Sequence, residues 1–172
     1  MVYRKKLCAV LDMDGTLISS EHKRPLARPY LKSFFKYVFS TCRYVGIWTA
    51  ANRAWYDEVD RKVFQPILSS LGKKFAFVYL DSNTIIDEQT GVCKPLRNIW
   101  QRRTGVFVHF RPANTFMIED TEDACGKNRS SVILISKYKG GVDCELKMMI
   151  RCIEKLKREY QKTGDVRKIK TI

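Results

Sequence analysis

Five short apolar runs alternate along this chain with segments of helical periodicity, and that alternation narrows the fold more than any other feature. The runs span Lys6 to Asp12, Tyr44 to Thr49, Phe75 to Leu80, Thr115 to Glu119 and Ser131 to Ile135. Between the first two, Leu31, Phe34, Phe35 and Val38 recur at i, i+3, i+4 and i+7, while Lys32 and Lys36 turn away. That spacing predicts an amphipathic helix. The segment "NRAWYDEVDRKVFQPILSSLG" continues the pattern, with Pro66 opening a second short turn and Gly72 ending it. "KPLRNIWQRR" and "TEDACGKN" read as short helices. The last helix is expected to bury Val142, Leu146, Met149, Ile150, Ile153 and Leu156 and to expose Lys147, Arg151, Lys155 and Arg158. Strand and helix in alternation imply an α/β fold, a Rossmann-like parallel sheet flanked by helices. No repeat, Pro-rich linker or long charge block divides the 172 residues, so one domain spanning 1–172 is expected, with a basic C-terminal helix and tail.

The ends of the apolar runs carry the chemistry. In a parallel α/β sheet, ligands bind beyond the carboxyl ends of the strands. The first run, "LCAVL", passes straight into Asp12 and Asp14, which in an extended segment point to the same side; Gly15 then permits a tight turn. Another run ends on Thr49 at a helix start, where a hydroxyl and free amides can hold a phosphoryl oxygen. A later run ends on Glu119 and Asp120, hard oxygen donors of the kind magnesium prefers. Lys94 stands before Pro95 at a helix entry, where an ammonium can neutralise such a cluster. Each residue taken singly also fits a plainer role: the aspartates and the Glu119–Asp120 pair as caps of loop amides, Thr49 as an N-cap, Lys94 as a surface lysine. Their shared place at strand ends favours a site.

Charge and cysteine content bound the partners and the compartment. A net charge of +14, from 32 basic and 18 acidic side chains, favours phosphorylated or polyanionic partners without indicating a fold. The six cysteines form no C-x-x-C pair, and His22 and His109 fall in no ligand spacing, so zinc is not expected. Most of the cysteines lie in apolar runs and are expected to be buried thiols in a reducing, intracellular setting, cytoplasmic or nuclear. The N-terminal apolar stretch is cut at Asp12 after five residues, too short for export or for crossing a membrane.

With these motifs in place, the sequence resembles the haloacid dehalogenase superfamily of aspartate-nucleophile phosphatases, whose first motif, D-x-D-G-T, is matched by "LDMDGTL". Within it, "WTAA", the Arg28-Pro29 pair before a helix, "KPL" and "NTFMIED" resemble the branch that dephosphorylates the C-terminal domain of RNA polymerase II, over roughly residues 6 to 160. The resemblance implies that Asp12 is the nucleophile and Asp14 the acid and base, that Thr49 holds a phosphoryl oxygen, and that Lys94 orients Asp12. It implies Mg2+ bound by Asp12, the main-chain carbonyl of Asp14, and Asp120, and a phosphorylated protein segment as substrate, with nucleic acid a lesser alternative. The chain departs from that branch at Gly15, where Glu is usual, and at the Glu119–Asp120 pair; Asp123 is a rival for the metal. No large cap domain fits between the motifs. A hairpin insert is expected from Asp81 to Cys93, through "QTG". A phosphatase of nucleic-acid ends or small molecules, and a non-catalytic binding module, are the other classes expected of this scaffold.

Overall fold

The computed structural model describes residues 6–21, 24–87 and 91–168. In chain order the elements are β1 (Leu7–Leu11), β2 (Ile18–Ser19), β3 (Leu26–Ala27), α1 (Leu31–Thr41), β4 (Cys42–Trp48), α2 (Arg53–Val59), α3 (Gln65–Leu71), β5 (Val78–Tyr79), β6 (Ile85–Asp87), β7 (Gly91–Cys93), α4 (Arg97–Trp100), β8 (Thr115–Glu119), α5 (Glu122–Cys125), β9 (Val132–Leu134) and α6 (Glu145–Thr163). Five strands form one parallel sheet in the order β5-β4-β1-β8-β9. β1 is central, and successive connections leave it first towards β4 and β5, then towards β8 and β9. The carboxyl end of β1 is therefore the point where the strand order reverses, the place where open α/β sheets form a ligand crevice.

Burial of β1 on both faces explains its uninterrupted apolar run. Leu7, Ala9 and Leu11 pack into a core completed by α1, α3 and α6, while Cys8 and Val10 face a second core of Trp48, Tyr79, Leu96, Ile99, Phe110 and Met117. Helix α1 presents Leu31, Phe34, Phe35 and Val38 to the first core, as their spacing predicts. Pro66 does not interrupt the second helical segment. A π-helical turn over Asp60–Phe64 joins α2 to α3, with Gln65 N–H bonding Asp60 C=O five residues back, and Pro66 falls in the first turn of α3, where its missing N–H is tolerated. Gly72, at φ 62°, ends α3 in the left-handed conformation that a side chain disfavours.

Three sequence expectations change. The run at Phe75 to Leu80 contributes only the two-residue edge strand Val78–Tyr79, although Ala76 N–H and Phe77 C=O still bond β4 at 2.8 and 3.0 Å. Val142 is fully exposed rather than buried, because α6 begins only at Glu145 and Val142 lies in the preceding loop. Cys144, beside α6, is exposed, and Cys93 and Cys152 are half-buried; Cys8 and Cys42 are buried as expected. Between the first motif and α1, Ile18 pairs with Ala27 and Ser19 with Leu26 in a small antiparallel ribbon. The expected hairpin insert is present as β6 paired with β7; Gln89 and Thr90 of the "QTG" through which it is expected to run lie, like His22, outside the described residues. Among the described residues, no large cap domain covers the sheet's carboxyl edge, and no helix is long and apolar enough to cross a membrane.

Candidate active site

The three central strands and the separate β6–β7 hairpin deliver the sequence-predicted residues to one cavity. β1 continues its pairing into Asp12, whose N–H donates to Ile118 C=O of β8 at 3.0 Å. The chain then turns sharply: Leu17 N–H bonds Met13 C=O at 2.8 Å, Gly15 N–H bonds Ile18 C=O at 2.8 Å, and Gly15 adopts φ +80°. A side chain at Gly15 would be strained, and its Cβ would also collide with the Asp120 carboxylate. The glycine thus lets the Asp12–Asp14 loop lie directly against the end of β8. Thr49 follows β4, Glu119 closes β8 and Asp120 follows it; Lys94 arrives from β7. Asp12, Asp14, Thr49, Lys94, Glu119 and Asp120 all line a cavity of about 580 Å³.

Lys94 is the electrostatic centre. Its ammonium lies 2.5 Å from Asp12 Oδ1 and 2.8 Å from Glu119 Oε2, with all three side chains buried. Burial alone would lower the lysine's pKa, but the two carboxylates outweigh it and hold the ammonium charged. Its backbone is pinned as well: Lys94 C=O accepts from Asn128 Nδ2 at 2.8 Å, and Lys94 N–H donates to Ala124 C=O at 3.1 Å. Asp12 Oδ2 accepts from Thr16 Oγ1 at 2.7 Å, which fixes the carboxylate from its other side.

Asp14 is held differently. Trp55 Nε1 donates to its Oδ1 at 2.8 Å and Thr49 Oγ1 to its Oδ2 at 3.2 Å, while Ala51 N–H donates to Thr49 Oγ1 at 3.1 Å. Burial raises the Asp14 pKa and the Asp12 charge adds to the rise; the Trp55 and Thr49 donors oppose it. Two carboxylates of one motif therefore sit in unlike surroundings, one paired with a lysine and one held by neutral donors.

Asp12, Glu119 and Asp120 can each point an oxygen to a common region, the three atoms lying within 4.8 Å of one another. Burial and the nearby Asp12 charge raise the pKa of Glu119 and of Asp120. Lys94 bonds Asp12 and Glu119 but not Asp120, which has Lys137 nearby, and hard oxygens in this arrangement fit a cation such as magnesium. Glu119 Oε2 is already engaged by Lys94, and Thr121 N–H approaches Oε1 at 3.4 Å. The side chain of Asp123, the rival for the metal that the sequence suggests, lies outside the described residues.

Several residues at the site have no counterpart among the strand-end motifs of the sequence. Trp55 and Lys137 carry no local signal there, and Thr16 is marked only as the last residue of the D-x-D-G-T match. Arg28 stands out in the sequence only as part of the Arg28-Pro29 pair. It is fully buried and donates to Gly15 C=O at 3.2 Å, Thr16 C=O at 3.0 Å, Ser136 C=O at 2.7 Å and Asp143 Oδ2 at 2.9 Å. Its place a dozen residues beyond the first motif and just ahead of a helix is the signal that could have found it, since an arginine fork satisfies several acceptors at once.

Comparison with known proteins follows the same lines. The family description "NLI interacting factor-like phosphatase" matches residues 7–167. Among solved structures, the chain is similar to Fcp1, described as an essential RNA polymerase II CTD phosphatase, at 14% identity and a TM-score of 0.66, over 95% of this chain and 69% of that one. It is similar to the fission yeast Fcp1 R271A variant bound to beryllium fluoride, at 14% identity and a TM-score of 0.54. That match covers 94% of this chain but only about half, 52%, of the other. The D,D-heptose 1.7-bisphosphate phosphatase of B. bronchiseptica, complexed with magnesium and phosphate, aligns at 14% identity and a TM-score of 0.62 over 87% of this chain and 98% of that one. No curated protein sequence matches significantly. At these identities the structural likeness establishes the haloacid dehalogenase-like fold, and the family match over residues 7–167 establishes that the chain belongs to the NLI interacting factor-like phosphatases.

Proposed function

We propose that the protein is a magnesium-dependent phosphatase that removes phosphate from phosphoserine or phosphothreonine in an extended protein segment, using Asp12 as nucleophile. The observation that carries this reading is the pairing of Asp12 with Lys94 at 2.5 Å beside a separately held Asp14, both facing one cavity. A carboxylate oxygen of Asp12 attacks phosphorus, and the bond from phosphorus to the ester oxygen breaks. Asp14, whose burial favours its protonated form, delivers its proton to the departing oxygen. In the second step Asp14 takes a proton from water, the water oxygen attacks the aspartyl-phosphate, and Asp12 and inorganic phosphate are released. Dividing hydrolysis in this way lowers the difficulty of each step.

Lys94 orients Asp12 and offsets charge on the transferring group. Thr49 donates to Asp14 at 3.2 Å, so holding a phosphoryl oxygen requires it to exchange that bond. Asp12, Asp120 and the main-chain carbonyl of Asp14 would hold magnesium, leaving Glu119 to anchor Lys94. Bound there, the ion would neutralise charge on the phosphoryl oxygens.

The protein-segment assignment draws on the family, on the likeness to Fcp1, and on a cavity that no large cap encloses among the described residues. A panel of phosphopeptides, nucleotides, sugar phosphates and 5′- or 3′-phosphorylated oligonucleotides, assayed with magnesium, tests it. A kcat/KM for Ser-Pro or Thr-Pro phosphopeptides about tenfold or more above the small molecules, worth about 1.4 kcal/mol of extra transition-state binding, supports the reading. Preference for oligonucleotides that collapses with added salt would instead favour a nucleic-acid-end phosphatase, the reading to which the +14 charge lends weight.

A further inference from the structure

Helix α6 carries Lys147, Arg151, Lys155 and Arg158 within about 80° of arc at 3.6 residues per turn, while Leu146, Met149, Ile153 and Leu156 fill the core on the opposite face. All four basic residues are exposed, and among the described residues none of them forms an ion pair. The acids Glu154 and Glu159 are within helical reach of this stripe, yet Glu159 pairs with Lys162 instead. A solvated helix face commonly uses such neighbours to pair its charges. Here they are left available.

The stripe begins beside the active site. Asp143 accepts Glu145 N–H at the start of α6 on Oδ1 and Arg28 Nε on Oδ2, and Arg28 in turn holds the Gly15 and Thr16 carbonyls of the nucleophile loop. At the same end, Lys147 lies over the ring of Tyr30, 5.0 Å from its centroid. Tyr30 is a non-glycine residue at φ 66° and is 46% exposed, and Met148, on the first turn of α6, is 48% exposed. A tyrosine kept in the left-handed region while half in water is a costly choice for a helix entry. The result is cationic and apolar groups side by side at the end of α6 nearest the nucleophile loop, continuing into bare charge along the helix.

We infer that this face of α6 is a docking track for an acidic segment of the substrate protein, one rich in carboxylate or phosphate, lying next to the residue to be dephosphorylated. The inference rests on the protein-substrate reading above. Spacing supports a polypeptide lying along the helix: basic residues four apart rise about 6 Å along an α-helix, and every second residue of an extended chain advances about 6.6 Å on one side. Alternate acids can therefore meet Lys147, Arg151 and Lys155 in turn.

The test uses the full chain and two double variants, Arg151→Glu/Lys155→Glu and Arg151→Gln/Lys155→Gln, the second keeping helix-forming side chains should reversal disturb folding. Binding of a fluorescent, unphosphorylated Glu-rich peptide is read by anisotropy, independently of any activity. The wild type should bind at least about tenfold more tightly than either variant at low salt, with the difference fading as salt is raised. A phosphopeptide with a Glu-rich extension should show a kcat/KM gain over its neutral counterpart that both variants lose, while hydrolysis of p-nitrophenyl phosphate stays within about twofold. Equal binding of the acidic peptide by wild type and folded variants overturns the inference, as does a track-dependent preference for a phosphorylated oligonucleotide over the acidic peptide. If the neutral phosphopeptide is hydrolysed well but the acidic extension adds nothing, only the track is wrong. If no phosphopeptide surpasses the small molecules, the protein-substrate reading falls, and the anisotropy result still decides the track.

Discussion

Lys94 Nζ lies 2.5 Å from Asp12 Oδ1, in a pocket where both side chains are buried. This contact links two segments 82 residues apart and fixes the orientation of the carboxylate on which the proposed chemistry depends. Replacing Lys94 by Met leaves Asp12 and Glu119 facing each other without a counter-charge. Breaking a buried pair by removing one partner costs about 3–5 kcal/mol. We expect Lys94→Met to lose stability of that order by urea denaturation and kcat by about a hundredfold or more. Wild-type-like values of both would contradict the role given to the ammonium.

Arg28 tests whether the nucleophile loop needs an external brace. Arg28→Ala leaves the carbonyls of Thr16 and Ser136 without their arginine donor, while Gly15 C=O keeps Tyr138 N–H at 2.7 Å, and each unsatisfied group costs about 1–3 kcal/mol. Arg28→Lys should recover little, because an ammonium cannot reproduce the planar fork. Thermal melts of both variants are expected to fall well below wild type. A Lys variant as stable as the parent would remove the argument from geometry.

The indole of Trp55 supplies a pH-dependent readout. Its N–H favours the ionised form of Asp14 and so opposes the rise that burial imposes. Removing it in Trp55→Phe should raise the Asp14 pKa further. If Asp14 must be protonated to release the leaving group, activity declines as pH rises through that pKa, so the alkaline limb of the kcat/KM profile should move to higher pH. A shift in the opposite direction would show that the limb belongs to another group.

Metal dependence separates the acids at the end of β8. Chelation should abolish turnover, and Asp120→Asn should raise the magnesium concentration needed for half-maximal activity by about tenfold or more, with Asp123→Asn far less affected. The magnesium-induced rise in melting temperature gives the same ranking without relying on turnover. The reverse ranking would move the ligand to Asp123.

Much of this is legible in the residues themselves. The strands of the main sheet stand out because parallel strands buried on both faces need unbroken apolar runs, as in Leu7 to Leu11. Asp12, Asp14, Thr49, Lys94 and Asp120 can be picked out because the fold class makes strand ends the natural site. What stays hidden depends on distance in sequence. The donation from Trp55 to Asp14 spans 41 residues and the brace from Arg28 to Ser136 spans 108, and neither has a local pattern. Val142 misleads for a related reason: its apolar character matches the helical period of α6, but the helix starts only after Asp143 caps Glu145 N–H. The π-helical turn before Pro66 is likewise a local adjustment that periodicity does not reveal.

The central claim is that Asp12 carries the phosphate, and borohydride trapping during turnover tests it most directly. Reduction of an aspartyl-phosphate converts that aspartate to homoserine, which peptide mass spectrometry can locate. Homoserine is expected at position 12 when substrate and magnesium are present, and none when substrate is omitted. Turnover with an unmodified Asp12, or homoserine in place of Asp14 or Asp120 instead, would contradict the assignment.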